Sequence, residues 1–157
     1  MIIYGSMAIE IDQSGKIEQL DTTTVVACAN DVSSVICIKA SEKRLLFVRL
    51  HTSLVKKTDR LAVIFAVLVF LLLRTLKKLP STIVLDEEYT GKDATVCETL
   101  EKLLLRHQKG KWNGSIRVQQ IGKHSPAHLL AWDYHRKGKK RKDIVKVSVA
   151  DIMRLWQ

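Results

Sequence analysis

Thr82-Ile83-Val84-Leu85-Asp86-Glu87-Glu88 is the stretch on which the fold turns. Thr82 to Leu85 is short and apolar, with no polar alternation. That pattern belongs to a strand buried on both faces, as in parallel sheets covered by helices. The strand then runs directly into three carboxylates. In open α/β sheets, ligand sites form at such carboxyl ends, so Asp86 marks a candidate site.

Upstream lies a continuous apolar run, Leu61 to Leu73, with Arg60 before it and Arg74 after. A bilayer span needs about 20 residues, so this shorter run predicts a central buried helix. The helix is expected from about Thr58, a good N-cap, to Leu79, with Asp59 at the positive end and Pro80 as terminator. Anchoring in a membrane through residues 61–73 is the alternative that this run raises. Before it, Met7 to Ile11 reads as a strand closed by the turn group Asp12-Gln13-Ser14-Gly15, with Ile17 to Leu20 as its continuation past a kink. The β-branched segments Thr22 to Ala29 and Val35 to Ala40 are predicted strands, and Arg44 to Leu50 reads as a fourth or an extension across a hairpin.

Downstream, Val96, Leu100, Leu103 and Leu104 share one face of a helix predicted over Asp93 to His107. Ser115 to Ile121 is a strand with Ile116 and Val118 alternating inward. Gly122 to Pro126 breaks it, and Pro126 suits the first turn of a helix over about Ala127 to Arg136. Ser148 and Asp151 have capping-box spacing at the head of a last helix, 149–156. The order β-β-β-α-β-α-β-α predicts an α/β fold, a mixed sheet with helices on its faces, in a single domain over 1–157.

The 157 residues carry 26 Lys and Arg against 16 Asp and Glu, a formal net charge of +10 and a pI near 9.7. This balance favours a polyanionic partner, nucleic acid before membrane. Cationic residues concentrate at 136–142: Arg136, Lys137, Lys139, Lys140, Arg141 and Lys142. Such a run repels itself unless phosphates neutralise it. Lys109, Lys111 and Trp112 form a second basic cluster, whose tryptophan could stack on a base. Cys28, Cys37 and Cys97 are odd in number and lack C-x-x-C spacing, which argues against a disulfide framework and a thiolate zinc site. A reducing, cytoplasmic location is expected, since no basic stretch, apolar stretch and cleavage site open the chain as in a signal peptide.

Asp12, Asp59, Asp86 and Asp133 fall at strand and helix ends that this topology would draw together. Converging carboxylates repel unless a cation neutralises them, and Mg²⁺ or Mn²⁺ suits hard oxygen donors. Two such ions about 4 Å apart would activate a water and stabilise the leaving oxygen in phosphodiester hydrolysis. His124 is the candidate proton shuttle. Glu87 and Glu88 read as solvated, with either able to replace Asp86, and His128 and His135 read as helix-surface residues.

Ile11-Asp12-Gln13-Ser14-Gly15, Asp59-Arg60-Leu61-Ala62-Val63, Ile83 to Tyr89, and Gly122 to His128 followed by Ala131-Trp132-Asp133 together resemble the ribonuclease H-like superfamily. The resemblance spans about residues 7–137 and rests on element order and motif position. It implies a ribonuclease H-like sheet and a two-metal nuclease acting on RNA, DNA or a hybrid. Asp12, Asp59, Asp86 and Asp133 would be its metal ligands and catalytic residues, although the family usually carries glutamate where this chain has Asp59. A non-catalytic nucleic-acid-binding module on the same fold is the alternative.

Overall fold

A computed structural model describes residues 7–107, 112–137 and 144–156. Six strands form one mixed sheet: β1 (Ala8–Ser14), β2 (Thr24–Asn30), β3 (Ser34–Ile38), β4 (Thr82–Asp86), β5 (Ser115–Gln119) and β6 (Val145–Val147). Among the described residues five α-helices accompany them: α1 (Ala40–Arg49), α2 (Arg60–Leu73), α3 (Asp93–His107), α4 (Pro126–Lys137) and α5 (Val149–Leu155). The spatial order is β5-β4-β1-β2-β3-β6. β2 runs antiparallel to both its neighbours, and every other pairing is parallel.

Period-2 alternation assigns each strand's side chains to two layers. Ile9 and Ile11 of β1, Val26 and Cys28 of β2, Ile36 and Ile38 of β3, and Ile83 and Leu85 of β4 join the larger core with α2 and α3. Val25, Ala27, Val35 and Cys37 face the other way, onto Ala131 of α4. β4 is buried through Ile83, Val84 and Leu85, as expected for a parallel strand covered on both sides. The sheet is therefore sandwiched between α4 and a layer centred on α2.

Four expectations need correction. Ile17 to Leu20 do not continue the first strand, which ends at Ser14. Residues 44–50 are helical, because Lys43, Leu46 and Leu50 are the buried positions and their spacing of three and four is that of a helix face. The apolar helix is α2, shorter than 58–79: a 3₁₀ turn covers Lys57–Asp59, and Asp59 rather than Thr58 is the N-cap, without a side-chain cap bond. A sixth strand, β6, pairs with β3 in parallel from a segment whose only inward apolar residue is Val147. The capping box of α5 is present, Ser148 Oγ accepting from Asp151 N at 3.2 Å. Among the described residues no helix is long and apolar enough to cross a membrane. Cys28, Cys37 and Cys97 are free thiols.

Candidate metal centre

β1 continues through Asp12 to Ser14, so Asp12 lies inside the strand rather than in the turn after it. Its neighbours Ile11 and Gln13 point to the α2 layer, which turns Asp12 and Ser14 toward α4. β4 pairs in parallel with β1 in the register Ile11↔Leu85, placing Asp86 level with Asp12 on the same face. These two predicted residues are thus brought together at the carboxyl ends of adjacent strands.

Glu88 joins them. One carboxylate oxygen each from Asp12, Asp86 and Glu88 lies within 4.8 Å of the others. The segment after β4 is held so that Glu88 turns inward. Glu87 N donates to Gln119 O at 3.1 Å, the Tyr89 ring packs 5.7 Å from Phe65, and Gln13 Nε2 donates to Tyr89 Oη at 3.2 Å. Reading Glu88 as solvated missed this tether, whose signal was Tyr89, an aromatic residue next to the acidic run.

Each remaining carboxylate is fixed in place. Asp12 is 1 % exposed and accepts from the Gln13 amide at 2.8 Å. Asp86 Oδ1 accepts from Ile121 N at 3.0 Å, which ties the loop after β5 to the site. That loop ends at buried Ser125, whose Oγ accepts from Ala127 N at 3.2 Å and caps α4, with Pro126 at the first helical position. The cap sets the helix so that His128 faces Asp12, with Nδ1 2.7 Å from Asp12 Oδ2. An ionised carboxylate can only accept, so Nδ1–H donates. Two turns further on, His135 Nδ1 and Ser14 Oγ are hydrogen-bonded at 2.9 Å. Neither histidine is a mere surface residue, because α4 lies flat on β1 and β2 and turns this face toward them.

The electrostatics follow from crowding. Burial, then the hydrogen bond and charge of Asp12, then the charge of Asp86, push the Glu88 carboxyl up to about 9. Burial also raises Asp12, against the lowering effect of its hydrogen bonds with Glu88, His128 and Gln13. Without a cation the cluster therefore keeps a proton on Glu88 that bonds to Asp12. Burial and Lys43 lower His135, favouring its neutral form. Three carboxylates are hard donors of the kind Mg²⁺ and Mn²⁺ select, and the retained proton marks where positive charge is wanted.

Other predicted residues lie elsewhere. Asp59 Oδ1 is 2.8 Å from Lys92 Nζ and holds the loop before α3. Asp133 pairs with Lys137 at 3.1 Å, one turn along α4. Neither belongs to the carboxylate cluster, and the α4 residue that reaches Asp12 is His128. His124 is exposed in the loop before α4. Trp112 is no exposed stacking platform: its indole packs on the core and donates to Pro80 O at 2.8 Å. Arg136 stacks 4.1 Å from the centre of the Trp132 ring. Lys109, Lys111, Lys139, Lys140, Arg141 and Lys142 fall outside the described residues. Compared with models of known protein families and with curated proteins, the chain matches none.

Proposed function

We propose that this chain is a divalent-metal-dependent nuclease of the ribonuclease H-like type, hydrolysing phosphodiester bonds in RNA, DNA or a hybrid. The observation that carries the reading is the convergence of Asp12, Asp86 and Glu88 at the ends of two parallel strands. The order β3-β2-β1-β4-β5, with β2 alone reversed, and a helix crossing β1 with a site residue on it also support that type. The formal charge of +10 suits a polyanionic substrate.

Asp12, Asp86 and Glu88 are the residues that would hold Mg²⁺ or Mn²⁺. Bound there, the cation would neutralise charge at the scissile phosphate and lower the pKa of a bound water, so that the water loses a proton and attacks as hydroxide. The protein's own part is positioning. Gln13 N and His128 orient Asp12, Ile121 N orients Asp86, and the Tyr89 anchor orients Glu88. The His128 side chain is 36 % exposed, so its ring bridges buried Asp12 and solvent while Nδ1–H is given to Asp12.

A second reading, a non-catalytic nucleic-acid-binding module, is favoured by the pairing of Asp59 and Asp133 with lysines outside the cluster. Native and Asp86→Asn proteins assayed on RNA, DNA, hybrid and branched substrates with Mg²⁺ or Mn²⁺ separate the two. The nuclease reading requires cleavage by the native protein, lost by orders of magnitude in Asp86→Asn while binding is kept. Binding without cleavage by the native protein gives the second reading. Equal cleavage by both proteins rejects the site.

A further inference from the structure

Besides the acidic cluster, α4 covers a second concavity. Its C-terminal half, with β2, β3, β6 and the start of α1, lines an open cleft of about 900 Å³. Ligand sites commonly measure roughly 300–1,000 Å³. Val25 and Cys37 form an apolar floor on the sheet, and Tyr134 and His135 form a wall. The rim is cationic: Lys39, Arg44 and Lys146 line it against one carboxylate, Asp21. Ala40 and Ser41, the first turn of α1, complete the rim, and that helix has no side-chain cap.

These features select a ligand with an anionic end and a flat, less polar body. An inorganic anion would meet the rim and leave the apolar floor uncovered. An acidic peptide would engage the cations but has no constant ring to set against Val25, Cys37 and Tyr134. A nucleotide meets both, its phosphate at the rim and its base or sugar over the floor.

The placement indicates which nucleotide source. β1, β3, β4 and β6 run in one direction, so Lys39 after β3 lies at the same end of the sheet as Ser14 and Asp86. The histidines at positions 128 and 135 meet Asp12 and Ser14, and seven residues of helix separate them by about 10 Å. His135 is at once a wall of the cavity and the partner of Ser14, two residues along β1 from Asp12. We propose that the cavity receives one nucleotide of a nucleic-acid strand, its phosphate against Lys39, Arg44 and Lys146, while a phosphate a few nucleotides along that strand faces the carboxylates. The position of the strand rests on the nuclease reading; binding in the cavity needs no cleavage.

The test is an amide-resolved NMR titration of the whole chain in chelator, with a short single-stranded oligonucleotide, a mononucleotide and a poly-glutamate peptide. Oligonucleotide should shift Ala40, Ser41, Tyr134 and Lys146 at concentrations where the other two do not. A Lys39→Gln/Lys146→Gln double variant should lower the log–log salt slope of oligonucleotide binding by about 1.4, at roughly 0.7 per cation on single strands. Both lysines are exposed, and the variant's amide spectrum reports whether the fold is intact. Its Mn²⁺ affinity at the carboxylates should stay unchanged. A mononucleotide or the peptide binding as tightly as the oligonucleotide, shifts that avoid these residues, or an unaltered salt slope would each overturn the inference. Cavity shifts in a protein that cleaves nothing would leave it standing and remove the nuclease reading alone.

Discussion

Glu88 and Lys43 show how single side chains express the fold. With its carboxyl raised from 4.5 to about 9, folded Glu88 keeps a proton that the unfolded chain has released. The folded state then binds more protons through that window, so metal-free stability falls as pH rises across it. Thermal melts from pH 5 to 9 should show a decreasing Tm, flattened by Glu88→Gln and by saturating Mn²⁺. A Tm that rises with pH would contradict the placement of Glu88. Lys43 is fully buried, and its ammonium donates to Lys16 O, Gln19 O and Thr24 Oγ1, pinning the β1–β2 connection. Lys43→Met keeps the length of the side chain but leaves buried acceptors unpaired. Chemical denaturation should report a loss of about 1–3 kcal/mol, and no loss would mean water satisfies those carbonyls. Nothing in Ser41-Glu42-Lys43-Arg44 singled out one lysine, because its burial depends on a connection far away in sequence.

Patterns contained within one element were legible in the sequence, and pairings between distant elements were not. α3 occupies Asp93–His107 as its apolar spacing required, and β4 is buried on both faces as its composition required. The α5 capping box is local to four residues and was equally plain. Residues 40–49 misled because their outer face carries Leu45 and Val48, exposed apolar residues that blur the helical period. Within the site, Asp12 and Asp86 followed from strand ends and parallel pairing. Glu88 and His128 did not, since each is aimed by a tether outside its own segment: Tyr89 on Gln13, and Ser125 capping α4. α2 is the element at the centre of the larger core. Leu68 is 1 % exposed in the middle of it, and Leu68→Ala should cost about 2–5 kcal/mol in equilibrium unfolding. A cost near zero would show that α2 is not the packed centre of this core.

Across the whole molecule, one sheet separates two tasks. The α2 side holds most of the buried apolar residues, and the α4 side holds the carboxylates and the cationic cavity at one end of the sheet. The chain carries a formal net charge of +10, while three acids, Asp12, Asp86 and Glu88, converge at one point. Under the proposed function, that charge draws in a phosphate backbone and the three carboxylates offer a cation at one point along it. Mn²⁺ binding followed by paramagnetic broadening of amide signals tests this most directly. Substoichiometric Mn²⁺ should broaden Asp12, Gln13, Asp86, Glu88 and His128 first, with affinity rising from pH 6 to 9 as the Glu88 proton is displaced. Asp86→Asn should abolish that pattern. Broadening confined to the exposed Glu98–Glu101 face of α3, unchanged in Asp86→Asn, would contradict a metal site at the strand ends.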